Sequence, residues 1–177
     1  MAPGAVRPGR APARAGGASL ESLVVAVCGP GDAGGADPGA WQREAAFAVG
    51  RGLAERGAVV VTGGLGGVMA EACRGAASAG GVTVGLLPGL DPRDANPWVS
   101  VAVPTGLGEL RNGLVVRAAG AVVAVGGGYG TLSEIALALK AGKPVVGIRS
   151  WEIPGVVAVA DAAGAVEAAL ERCGGGR

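Results

Sequence analysis

Between residues 121 and 139 the chain passes from an uninterrupted apolar run into glycines and then into a helical pattern. No other stretch limits the fold so strongly. Ala121-Val122-Val123-Ala124-Val125 carries no polar residue, as a strand buried on both faces requires. Gly126-Gly127-Gly128-Tyr129-Gly130 then permits a tight turn, and Leu132, Ile135, Ala136 and Leu139 recur at helical spacing. A strand that ends in glycines and opens a helix makes an anion site. Glycine lets backbone N–H groups approach a phosphate, and the helix N-terminus adds roughly half a positive charge. Residues 126–130 are therefore a candidate phosphate cradle, with the Thr131 hydroxyl placed for a phosphate oxygen and the Glu134 carboxylate one turn further in.

The same unit recurs along the chain. Leu23–Cys28 reads as a first strand, followed by a glycine loop and a helix capped by Asp37, with Pro38 at its first position, running to about Arg56. Ala58–Val61 is a second strand, followed by Thr62-Gly63-Gly64-Leu65-Gly66-Gly67 and a helix from Val68 to about Ser78. Strands are expected at Val82–Leu87, Trp98–Val103, Pro144–Ile148 and Val156–Ala160. Helices are expected at Leu107–Ala118, Thr131–Ala141 and Ala162–Arg172. In the helix from Leu107, residues Leu107, Leu110, Leu114 and Ala118 share one face. Apolar strands alternating with helices give an α/β fold: a doubly wound parallel sheet, a modified Rossmann fold with helices on both faces. Ligands of such sheets bind at the carboxyl ends of the strands where the strand order reverses. The glycines at 29–35, 63–67 and 126–130 fall at those ends, so a nucleotide-sized pocket is expected there.

Composition narrows the function. The chain has 177 residues, enough for one domain over 21–177, with a Pro/Gly/Ala/Arg-rich disordered tail at 1–20. Half of all residues are apolar but only 3% are aromatic, so the core is built from Ala, Val and Leu. The tail carries Arg7, Arg10 and Arg14 without an acid, which leaves residues 21–177 at a net charge of −2. That near-neutral body argues against a nucleic-acid binder. There is no histidine, which removes every mechanism that needs imidazole. Cys28, Cys73 and Cys173 are odd in number and widely spaced, offering neither a zinc pattern nor a disulfide framework and fitting a reducing compartment. No apolar run approaches the roughly 20 residues of a membrane span, and no hydrophobic signal segment opens the chain, so a cytoplasmic protein is expected.

The individual loops differ in what they say. No lysine follows the 126–130 glycines, so this is not a Walker A loop. Gly29-Pro30-Gly31 does not match the dinucleotide fingerprint, because proline stands inside it. Gly63-Gly64-x-x-Gly67 alone is equally a tight strand-to-helix turn. Glu134 has two readings: a carboxylate beside a bound group, or the partner of Thr131 in a capping box, whose spacing Thr131-x-x-Glu134 shares. Arg111, near the start of its helix and so near the same sheet edge, is placed to grip a phosphate or carboxylate bidentately, or else is a solvated surface residue. Asn96 and Trp98 are candidate base contacts or rim residues, Asp32 a ribose contact or a turn former, and Cys28 a small core filler.

Taken in order, Gly63-Gly64-x-x-Gly67-Val68-Met69, Leu86-Leu87-Pro88-Gly89, Arg111 and Gly127-Gly128-x-Gly130-Thr131-x-x-Glu134 resemble the LOG ("lonely guy") family. These phosphoribohydrolases are often mislabelled lysine decarboxylases and are distantly related to DprA/Smf. The family's marks are a GGxxGxM loop, the arginine of an RK pair and a PGGxGTxxE loop. The 23-residue interval from Arg111 to Glu134 also agrees, and the similarity runs from about Leu23 to Ile148.

The resemblance implies cleavage of the N-glycosidic bond of a nucleoside 5′-monophosphate to free base and ribose 5-phosphate. On that pattern Gly127, Gly128, Gly130 and Thr131 hold the phosphate. Glu134 stabilises the ribosyl cation or activates water, and Arg111 orients the nucleotide. Gly29, Gly63, Gly64, Gly67 and Asn112 belong to the nucleotide cleft. No metal and no resident cofactor is implied, and a homodimer or higher homo-oligomer is. Two departures stand out: the RK pair is Arg111-Asn112, and the proline of PGG is Gly126. Together with Pro104-Thr105-Gly106-Leu107-Gly108 and Gly81-Val82-Thr83-Val84-Gly85, they make the chain similar also to a sibling branch of uncharacterised bacterial Rossmann-fold proteins, itself similar to the algal molybdenum-cofactor carrier proteins. Those bind a phosphorylated pterin without hydrolysis. The alternative implied is thus a non-catalytic nucleotide or molybdenum-cofactor carrier.

Overall fold

The structure is a computed structural model that describes residues 23–32 and 39–173. The expected tail at 1–20 and the expected helix start at Asp37 and Pro38 lie outside the described residues. Strands β1 (Val24–Cys28), β2 (Val59–Thr62), β3 (Thr83–Leu87), β4 (Val101–Pro104), β5 (Ala121–Val125), β6 (Val145–Ile148) and β7 (Val156–Val159) are joined by helices, except that a 3-10 turn links β3 to β4 and a loop links β6 to β7. The helices are α1 (Ala40–Glu55), α2 (Val68–Ser78), α3 (Asn112–Ala118), α4 (Tyr129–Lys140) and α5 (Ala162–Cys173).

All strand pairs are parallel, in the order β4-β3-β2-β1-β5-β6-β7. The chain winds outward from β1 in one direction and from β5 in the other. The order therefore reverses between β1 and β5, where Cys28 pairs with Ala124. The carboxyl ends of these two strands open onto one crevice, and the loops after them, beginning at Gly29 and Gly126, are its walls.

The sheet is covered on both faces because its strands are apolar on both. Val25 and Val27 of β1 pack with α1, α2 and α5, while Ala26 and Cys28 pack with α3 and α4. Small side chains bring the helices close. A Cβ at Gly50 of α1 would stand 1.9 Å from the Ala72 carbonyl oxygen, and one at Gly75 of α2 would stand 2.0 Å from that of Phe47. These mid-helix glycines, unfavourable by propensity, let the two backbones touch. That contact fixes α2, and with it the glycine loop before it. No helix among the described residues is long and apolar enough to cross a membrane.

Three local expectations are corrected. The fourth strand begins at Val101, not Trp98. The Asn96 side chain accepts from the Trp98 N–H, and the Thr83 hydroxyl donates to the Trp98 carbonyl, so this stretch turns before it can pair. The helix expected from Leu107 is a 3-10 turn over Gly108–Arg111 that leads into α3, because Gly106 and Gly108 have φ of +67° and +55°. Its inner face is Arg111, Val115 and Val116, whereas Leu107, Leu110 and Leu114 are exposed. Helix α4 starts two residues early, at Tyr129, and buries Thr131, Glu134, Ile135 and Ala138, with Ala136 left outside.

Candidate functional site

The early start of α4 decides the chemistry of the 126–130 loop. Gly128 is the N-cap, so Tyr129, Gly130 and Thr131 are the first three helical residues, and their N–H groups have no acceptor within the helix. Gly126 makes the turn with φ of +68°. A Cβ added at Gly128 or Gly130 would meet nothing within 4 Å, so open space lies over the helix end. Gly127 differs: a Cβ there would lie 2.8 Å from Nε1 of Trp151, whose indole N–H donates to the Gly128 carbonyl at 3.3 Å. Trp151, which the sequence reading did not single out, thus braces the loop from behind.

The same register removes the capping-box reading of Glu134. Thr131 is the third helical residue, not the N-cap, so Glu134 lies too deep to reach back to an N-cap N–H. Thr131 and Glu134 instead face inward, 2% and 7% exposed, and the Thr131 hydroxyl has no hydrogen-bond partner among the described residues. A buried hydroxyl left unpaired costs roughly 1–3 kcal/mol.

Arg111 is the other buried polar residue of the crevice, 7% exposed. Its guanidinium lies face-on over Gly63: a Cβ at that position would be 2.3–2.5 Å from Nη2, Cζ and Nη1 alike. Among the described residues no carboxylate forms an ion pair with it. Nη1 donates to Oδ1 of Asn112 at 2.7 Å, and Nε is buried without a partner.

The second glycine loop is already filled from within. Asp32 accepts from the Gly67 N–H at 2.9 Å and pairs with Arg43 at 3.3 Å, while the Val68 N–H donates to the Pro30 carbonyl. A Cβ at Gly66 would stand 2.0 Å from Asp32 Oδ2, so the glycines here admit a carboxylate of the chain itself. Asn96 closes the same loop by donating to the carbonyls of Gly64 and Leu65. Asp32 and Asn96 are therefore ties between loops. Sequence reasoning missed the capping of α2 by Asp32 because the partners stand 35 residues apart.

A cavity of about 730 Å³ joins these parts. Gly29, Arg111, Asn112, Gly130, Thr131 and Glu134 lie on its wall. Gly63, Gly64, Gly67, Gly127 and Gly128 are not among its lining residues: Gly63 is the floor under Arg111, and a Cβ at Gly64 would stand 2.6 Å from Leu87 Cδ2. Leu110 and Tyr129, also on the wall, are 81% and 87% exposed and rim the mouth. Burial pushes the Glu134 carboxyl up to about 7, against the opposing pull of the Arg111 charge and of a hydrogen bond from the Cys28 thiol. Burial, then the Glu134 charge, holds the Cys28 thiol well above its ordinary range, so it stays protonated and can donate.

A parallel α/β sheet with one open helix N-terminus at its reversal point defines a Rossmann-like fold. The chain belongs to the SLOG cluster4 family, whose model matches residues 22–170. The LOG-like assignment drawn from the glycine motifs therefore holds. The chain is 33% identical to the molybdenum cofactor binding protein of Rippkaea orientalis, with a TM-score of 0.78, covering 84% of this chain and 96% of that one. It is 37% identical to the molybdenum cofactor carrier protein of Chlamydomonas reinhardtii, with a TM-score of 0.75 and the same coverage of 84% and 96%. An uncharacterized protein of Archaeoglobus fulgidus is 44% identical over 119 residues, 62% of this chain and 78% of that protein.

The raised Glu134 carboxyl has a measurable consequence. The folded chain holds this proton up to about pH 7, whereas the unfolded chain releases it near the ordinary 4.5. Between those values the folded state binds more protons, so Glu134 makes stability fall as pH rises, by about 3 kcal/mol in all. Glu134→Gln removes the titration. Urea denaturation at pH 5 and pH 8 is expected to show the variant gaining on the parent protein by about that amount at the higher pH. An equal difference at both pH values would contradict the buried, raised carboxyl.

Proposed function

We propose that this protein binds a small molecule through a terminal phosphate and acts as a carrier, with a phosphorylated pterin of the molybdenum-cofactor kind as its cargo. One observation carries the reading. The first turn of α4 is open, and Thr131 and Arg111 line the same cavity beside it, with Nη2 of Arg111 making no hydrogen bond among the described residues. Backbone N–H groups, a hydroxyl and a guanidinium together suit a phosphate dianion. The cavity of about 730 Å³ leaves room for a bicyclic group beyond it. The molybdenum-cofactor proteins to which the chain is similar support the choice of cargo. The near-neutral body speaks against nucleic acid as the ligand. Three unpaired cysteines, two of them buried, fit the reducing cytoplasm.

A second reading is favoured by Glu134. With its carboxyl near 7, this residue exchanges a proton at neutral pH, as a group that activates water or protonates a leaving base must. On that reading the site hydrolyses nucleoside 5′-monophosphates: water attacks C1′ of the ribose, the glycosidic bond breaks, and the base leaves with a proton. Glu134 and Arg111 are the catalytic pair, and the fixed phosphate supplies binding energy remote from the reacting bond.

Anaerobic calorimetry with the molybdenum cofactor freed from a donor enzyme, beside AMP and ribose 5-phosphate, tests the two together. The carrier reading expects the cofactor to bind one-to-one, Arg111→Met to weaken it about tenfold or more, and no free base to appear from AMP. Base release that Glu134→Gln abolishes would replace it with the hydrolase reading. Failure of every phosphorylated probe to bind would overturn both.

We also propose that the protein is a homodimer through the α3 and α4 faces beside the cavity mouth. Leu110, Leu114, Tyr129 and Leu137 are exposed there, an apolar patch that a second copy would cover. Light scattering is expected to give a dimer mass for the parent and a monomer mass for Leu114→Asp. An equal mass for both would count against this face.

A further inference from the structure

The side chain of Asn112 sits at the start of a polar chain that ends in the phosphate loop. Arg111 Nη1 donates to Asn112 Oδ1 at 2.7 Å, Asn112 Nδ2 donates to Ser133 Oγ at 3.0 Å, and the Ser133 hydroxyl donates to the Gly130 carbonyl at 2.7 Å. Each link uses one donor and one acceptor, so the amide is fully oriented. Its oxygen must face the guanidinium and its nitrogen must face the serine.

This arrangement fixes the guanidinium plane of Arg111, whose N–H donors all lie in that plane. Gly63 supports one face of the plane, and Asn112 holds Nη1. Nε has no partner among the described residues and is closed off from the cavity, whereas Nη2 is neither closed off nor hydrogen-bonded among them. The side chain lines the cavity. We propose that Asn112 is a positioning residue that holds Arg111 by Nη1 and leaves Nη2 at the cavity as a grip for an oxyanion of the bound ligand.

The chemistry of residue 112 matters because two requirements conflict there. The residue must accept from Nη1, which a lysine cannot do, having donors only. It must also leave Arg111 unneutralised, which an aspartate cannot do. Asparagine meets both. The inference rests on the reading of this cavity as a phosphate site, and the test separates the two.

In unliganded protein, the Arg111 Nε–H is expected to give a resolved, slowly exchanging 1H–15N signal, because its guanidinium is fixed. In Asn112→Leu that signal should broaden or exchange rapidly, while the melting temperature stays within a few degrees of the parent. This part needs no ligand. With ribose 5-phosphate as probe, the parent signal should shift on titration, and Asn112→Leu should bind about tenfold more weakly. Asn112→Asp keeps an acceptor for Nη1, so it should retain the sharp Nε–H signal yet lose affinity by at least as much, through the added charge. That split between signal and affinity is what a merely structural role would not produce. An unchanged Nε–H signal in Asn112→Leu overturns the proposal, as does parent-like affinity in Asn112→Asp. Absence of probe binding to a parent with the sharp signal, lost in Asn112→Leu, would instead retire the phosphate reading and leave the positioning role standing.

Discussion

A buried guanidinium with which no carboxylate among the described residues forms an ion pair is the constraint around which this crevice is arranged. Arg111 is 7% exposed, and removing a charge from water costs several kcal/mol unless something replaces the solvent. Here the replacements are partial: the flat backbone of Gly63 beneath it, the amide oxygen of Asn112 at one corner, and the charge of Glu134, which lines the same cavity without forming an ion pair. Burial accordingly lowers the proton affinity of Arg111 and raises that of Glu134, each against the pull of the other. The neighbours of Arg111 follow from this need. Gly63 can carry no side chain without evicting the guanidinium, and the Asn112 amide accepts from it without adding a charge. The cavity keeps one cation facing one open helix end.

The two glycine loops that look alike in sequence therefore have opposite roles. Both stand between a parallel strand and a helix. At the loop before α2, the chain supplies its own anion: Asp32 occupies the Gly67 N–H and the Pro30 carbonyl occupies that of Val68. At the loop before α4, nothing from the described chain enters, and a Cβ at Gly128 or Gly130 would meet only space. One helix start holds β1, α1 and α2 together through contacts of the chain itself, and the other stays open among the described residues.

Much of this was legible in the sequence, and the reasons differ residue by residue. The alternation of apolar strands with helices gave the parallel sheet, because strands buried on both faces leave no ambiguity of period. The cavity's location followed from glycines at strand ends, and motif spacing singled out Arg111 and Glu134, which line it. Other features were hidden by local rules that tertiary context overrode. Thr131-x-x-Glu134 has capping spacing, yet Gly128 caps the helix, so the two residues point into the cavity instead. The inward stripe Thr131, Glu134, Ile135, Ala138 is itself a helical period, and polar residues on such a stripe were the available signal. Leu107, Leu110 and Leu114 mimicked a core face, but Arg111, Val115 and Val116 took it, and glycines with positive φ broke the helix before it. The contacts of Asp32 and Trp151 span 35 and 23 residues, and no local pattern encodes them.

One helix N-terminus is open, and at the other the Gly67 and Val68 N–H groups are taken by the chain itself. Amide chemical shifts during titration with ribose 5-phosphate report on both loops at once. The N–H signals of Tyr129, Gly130 and Thr131 are expected to move as their protons gain an acceptor, while those of Gly67 and Val68 stay where they are. Movement of the Gly67 and Val68 signals, with those of Tyr129 to Thr131 unmoved, would contradict this arrangement.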